Sequence, residues 1–101
     1  ATLTLRGERP DGGNPDDPKI EVFAGLTRKV AAETGTHLID LRAAYLAYLR
    51  NHNATLRVDG TVHHRESGVL TYDGVHPNAE GVALLANLLA EGIAQAAAKR
   101  P

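Results

Sequence analysis

No cysteine occurs in the 101 residues, so the chain can form neither a disulfide framework nor a thiolate site for catalysis or metal. Charge of one sign is equally missing. Lys and Arg number 11 against 12 Asp and Glu, a formal net charge of -1, and the basic residues are scattered. Such a surface has no field to gather nucleic acid or an anionic bilayer, so no nucleic-acid partner is expected. No uninterrupted apolar run approaches the roughly 20 residues of a membrane span, and residues 1–20 show no basic-then-apolar signal pattern. Serine is scarcer than either charge. Ser67 is the only one, between Glu66 and Gly68, and those neighbours do not make a nucleophile turn.

The apolar content, 43%, is enough for one modest core, and the length allows one domain at most, residues 1–101. Short apolar runs alternate with amphipathic stretches, the pattern of an α/β sheet with parallel strands. Residues 1–6 alternate threonine and leucine and predict a strand that starts without lead-in, so an upstream part is expected. Residues 7–18 are dense in Gly, Pro, Asp and Asn and predict a loop. Asp17 then Pro18 reads as an N-cap and first helical residue. Ile20, Phe23, Thr27 and Val30 would share one helical face, with Arg28, Lys29 and Glu33 away from it and Gly35 closing the helix. Residues 36–41 predict a buried strand. Asp40 is placed to cap the next helix, residues 42–52, whose apolar side is Tyr45, Leu46 and Leu49.

Residues 53–71 are polar and irregular and would overhang the strand ends as a lid-like loop. They contain His63 and His64, which with His76 form an alternative metal cluster. Adjacent histidines point to opposite sides of an extended chain, so a solvated loop is the better reading and no metal is expected. Beyond them, Leu84, Leu85, Leu88, Leu89 and Ile93 make a broad stripe on a long packing helix opened by Asn78 and Ala79, and Gly81 in its first turn predicts a close approach to a neighbour.

The chemistry concentrates just before that helix. In Leu70-Thr71-Tyr72-Asp73-Gly74-Val75-His76-Pro77-Asn78 an acid and an imidazole stand three residues apart in a turn punctuated by glycine and proline. Asp73 can accept a hydrogen bond from the near ring nitrogen of His76, fixing the tautomer and leaving the far nitrogen as a general base. The segment from Gly68 to Ile93 resembles the last block of the SGNH (GDSL-like) esterase and lipase family, where an Asp-x-x-His segment completes a serine triad. The resemblance implies Asp73 as orienter, His76 as base, a carboxylic ester as substrate and no cofactor. It also implies a partial three-layer α/β/α parallel sheet, SGNH or flavodoxin-like. The blocks that would carry the nucleophile, the second-block glycine and the oxyanion asparagine have no counterpart. The serine must then come from a second polypeptide segment or from exchange with another copy, and the chain alone should be inert. The alternative is a hydrolase remnant kept as a binding module.

Overall fold

The computed structural model describes residues 1–53, 56–58, 61–63 and 65–99. Three helices dominate them: α1 (Asp17–Thr34), α2 (Leu41–His52) and α3 (Ala79–Ala98). Two short strands, β1 (Leu56–Val58) and β2 (Thr61–His63), pair antiparallel with Arg57 opposite Val62. This ribbon is the only sheet among the described residues, so the expected three-layer α/β/α parallel sheet is contradicted.

The reason lies in the two segments read as strands. Residues 1–6 and 36–40 meet at Thr2, where a single backbone bond, Thr2 N to Ile39 O at 3.1 Å, joins them, whereas a parallel ladder needs an evenly spaced series. Burial along the first segment falls on Thr2, Leu5 and Glu8, while Leu3 is 60% exposed. Three-residue spacing is foreign to a pleated strand, whose faces alternate every second residue. Without parallel strands, the fold itself gives no support to completion of a sheet by an upstream part or an exchanged copy. Within residues 53–71, the stretch expected to be a lid-like loop, lie β1 and β2, and His64 falls outside the described residues.

Each helix forms for local reasons. α1 starts one residue before the expected position, with Asp16 as N-cap in a left-handed conformation (φ 62) and Pro18 in the first turn; Gly35, φ 69, ends it as expected. Asp17 is freed from capping and is buried instead. Its carboxylate accepts from the backbone and side-chain nitrogens of Asn14, at 3.0 and 3.1 Å, and from Arg42 Nη1 at 3.3 Å. Asp40 caps α2 as expected, accepting from Ala43 N at 3.1 Å. The same carboxylate accepts from Thr2 Oγ1 and Arg28 Nε at 2.7 and 2.8 Å, and chiefly the Arg28 bond lowers its pKa to about 2.

The apolar core is small. Leu5, Tyr45, Leu49 and Leu70 are buried, with Leu46, Tyr48, Val69, Leu84, Leu85 and Leu88 packed around them. It sits between the N-terminal segment, α2, the chain before the candidate site and the first half of α3. Gly81 makes the close approach its position predicts: a Cβ there would overlap the carbonyl of Leu70. Outside this core the helices are thinly covered. Phe23, Leu26 and Val30 on α1 are 59%, 54% and 56% exposed, and Ile93 on α3 is 66% exposed. By length and composition alone α3 could cross a bilayer, although no unbroken apolar run in it is that long.

Candidate active site

Residues 66–78 form a compact polar turn between the β1–β2 ribbon and α3. Its base is tied by Gly68 N to Thr71 O at 2.8 Å, Asn78 N to Leu70 O at 2.9 Å and an isolated bridge between Thr71 and Pro77. Thr71 Oγ1 accepts from Gly74 N at 2.9 Å, and Gly74 takes φ 92, a conformation that a side chain would strain. Asn78 then caps α3 by accepting from Gly81 N at 3.0 Å. The first residue of the helix therefore follows the candidate site directly.

The structure brings the two sequence-predicted site residues together. His76 Nδ1 lies 2.7 Å from Asp73 Oδ2, while Asp73 Oδ1 accepts the backbone amides of Val75 and His76 at 2.9 and 2.8 Å. These three bonds hold the Asp73 carboxyl well below the usual carboxylate range; the His76 amide contributes most, then the His76 ring, then the Val75 amide. An ionised Asp73 can only accept, so His76 Nδ1 must donate, and in the neutral ring Nε2 carries the lone pair. The ring is open to solvent, its side chain 75% exposed against 52% for Asp73, and among the described residues no protein group occupies Nε2. The pair is therefore a tautomer-fixed base facing outward.

A cleft of about 260 Å³ flanks Asp73, lined by Arg6, Gly7, Pro15, Glu66, Gly74 and Val75. Arg6 in its wall pairs with Asp16 at 3.0 Å. A more apolar groove of about 370 Å³ runs along α1 past Phe23, Leu26, Val30 and Leu38, and shares no residue with the Asp73–His76 turn. Size would favour neither, since a groove of about 770 Å³ lies at the C-terminal ends of α1 and α3 beside His37 and Lys99; the acid–base groups stand at the Asp73 cleft, and chemistry decides.

Ser67, the one serine, makes no hydrogen bond to His76 among the described residues. Nor do three or more histidines, aspartates or glutamates gather as a metal site among the described residues. No family model, curated protein or solved structure matches the chain.

Two features of the surroundings escaped sequence reasoning. One is Glu8, taken only as part of a turn-rich loop, which is 1% exposed and accepts three backbone amides from residues 69–71. The other is the charge network of Arg42, Asp17, Glu21, Arg28 and Asp40 that ties α1 to the start of α2. Neither has a periodic signature, because side chains that pair across long sequence separations leave no local pattern.

Proposed function

We propose that the chain supplies the acid–base half of a serine carboxylic-ester hydrolase of the SGNH type, with Asp73 orienting and His76 as general base. The observation that carries this reading is the 2.7 Å contact between Asp73 Oδ2 and His76 Nδ1, on an imidazole 75% exposed whose opposite ring nitrogen has no partner among the described residues. In such a reaction Nε2 takes the proton of an attacking serine hydroxyl as its oxygen bonds the ester carbon. The imidazolium, stabilised by the Asp73 carboxylate, then returns that proton to the departing alcohol. Water repeats the sequence on the acyl-serine. Donors for the oxyanion and the serine itself come from outside residues 1–101 or from a second copy, since among the described residues neither stands next to His76.

The test is hydrolysis of p-nitrophenyl acetate, by this chain alone and with a companion polypeptide that intact-mass analysis shows to bear a Gly-Asp-Ser turn. Turnover is expected only from the pair, falling on the order of 10³-fold or more in both His76→Ala and Asp73→Asn. Turnover that ignores both substitutions, or none from the pair, overturns the reading. A second reading, a non-catalytic binding module, is favoured by the bare apolar face of α1 at Phe23, Leu26 and Val30. In that case partner binding survives both substitutions and no ester is turned over.

A further inference from the structure

A carboxylate buried to 1% exposure needs partners, and Glu8 finds them in three successive backbone amides: Val69 N to Oε1 at 2.9 Å, Leu70 N to Oε2 at 2.5 Å and Thr71 N to Oε2 at 3.1 Å. Consecutive amides converging on one point make an anion-binding concavity, filled here by a side chain from 61 to 63 residues earlier. The neighbouring residue grips the same turn at its apex, Gly7 N donating to Gly74 O at 2.6 Å. A Cβ at Gly7 would collide with the Asn14 side chain, and one at Gly74 would crowd the Glu66 carbonyl, so both backbones are closely fitted. Glu8 is itself anchored, its carbonyl accepting from Asn53 Nδ2 at 2.7 Å at the end of α2.

The pair that Glu8 underlies has no such anchorage of its own. Asp73 and His76 are exposed and, among the described residues, bond only to each other and to the turn's backbone. What aims the imidazole is the geometry of residues 69–74, and through Thr71, whose hydroxyl holds the Gly74 amide, that geometry starts at the Glu8 carboxylate. We propose that Glu8 is a positioning residue for the Asp73–His76 pair, clamping the start of the turn so that both oxygens of Asp73 stay on their donors. Its catalytic meaning rests on the reading of His76 as a base.

The test follows the Asp73 carboxyl carbon by NMR as pH falls, in the wild-type chain and in Glu8→Gln, Glu8→Ala and Leu49→Ala. Wild-type Asp73 is expected to stay ionised well below the ordinary carboxylate midpoint of about 3.9. Glu8→Ala should lift that midpoint by about one pH unit. Glu8→Gln, which keeps one acceptor oxygen but turns a donor toward the Val69 amide, should fall between the two. Leu49→Ala weakens the core without touching the turn's bonds and should leave the midpoint in place. An Asp73 midpoint unmoved in the folded Glu8 variants, or moved equally by Leu49→Ala, overturns the proposal. Should the Glu8 variants lose their helical signal, wild-type amide exchange decides: Val69, Leu70, Thr71, Val75 and His76 must share one protection factor within about three-fold, as a single cooperative unit does. Fast exchange at Val75 and His76 beside protected residues 69–71 overturns it. Ester turnover enters neither arm, so failure to find a serine-bearing companion sinks the proposed function and leaves this result standing.

Discussion

The turn at residues 66–78 and the outer face of α1 are built on opposite plans. The turn is polar, yet it is gripped by the remote N-terminal loop through Gly7 and Glu8, with Asn53 at the end of α2 holding the Glu8 carbonyl and Gly81 of α3 pressed against Leu70. The α1 face is apolar, yet Phe23, Leu26 and Val30 stand more than half exposed. Hydrogen bonds with defined partners fix a conformation residue by residue, whereas apolar surface fixes one only when something covers it. Order in this molecule is thus concentrated where the candidate chemistry is.

The sharpest way to break that contrast is to remove the small core beneath the turn. Leu49 is fully buried, and Leu49→Ala should cost about 3 kcal/mol, a large part of what a chain this size can hold. Urea denaturation followed by circular dichroism reads it. A change under about 1 kcal/mol would mean the core is not where the stability lies. Glycine substitution compares the two regions directly. A methyl at Gly81 overlaps the Leu70 carbonyl, so Gly81→Ala should lose about 1 to 2 kcal/mol even after the helix propensity gained. At Gly25, in the middle of α1, the methyl meets nothing, and Gly25→Ala should add about 0.5 to 1 kcal/mol. The same denaturation experiment should therefore give opposite signs.

What the sequence revealed and what it hid divide along similar lines. The α2 stripe of Tyr45, Leu46 and Leu49, the Asp40 cap and the Gly35 stop were readable, because each is a statement about residues within one or two turns of one another; at Gly81 the glycine signalled a close approach but not its partner, the Leu70 carbonyl. The Asp73–His76 contact belongs to that class, since three residues separate its members. The parallel sheet was misread because alternation along residues 1–6 describes an extended chain and not its hydrogen-bond partners; Thr2, Leu5 and Glu8 face inward and one backbone bond joins the supposed neighbours. Glu8 was passed over, and Asp17 was read as a cap, for the converse reason, since Glu8 and the Arg42 partner of Asp17 are joined across long sequence separations, and an acid in a loop of turn formers looks solvated until the fold closes on it.

Acid separates the two polar devices from the apolar face by a smaller effect. Asp73 and Asp40 both have pKa values depressed in the folded chain, Asp40 to about 2 by Arg28 foremost. A carboxylate depressed on folding contributes stability that is fully present above its unfolded value, about 3.9, and is lost as pH falls through the folded value. Unfolding midpoints in urea should hold between pH 7 and about 5 and decline from about 4 toward 2. In Asp40→Asn that decline should be shallower, because one of the three depressed carboxylates, Asp40, Asp73 and Glu21, no longer titrates. An equal slope in the variant would remove Asp40 from the account.

The weakest perturbation tests the bare face itself. Phe23 is 59% exposed, so replacing it exchanges water-facing apolar surface for water-facing polar surface, and no cavity is opened. Phe23→Ser should therefore change the stability of the isolated chain by no more than about 0.5 kcal/mol, most of it the poorer helix propensity of serine. If a partner covers α1, the same substitution becomes costly in its presence, because an aromatic side chain buried at an interface is worth about 2 kcal/mol or more. Measured by denaturation of the chain alone and by light scattering at increasing concentration, the variant separates two cases. A large loss already at low concentration would show that Phe23 is packed within the monomer. A small loss at low concentration, with association abolished at high concentration, would show that this face finds its cover in a second copy of the chain.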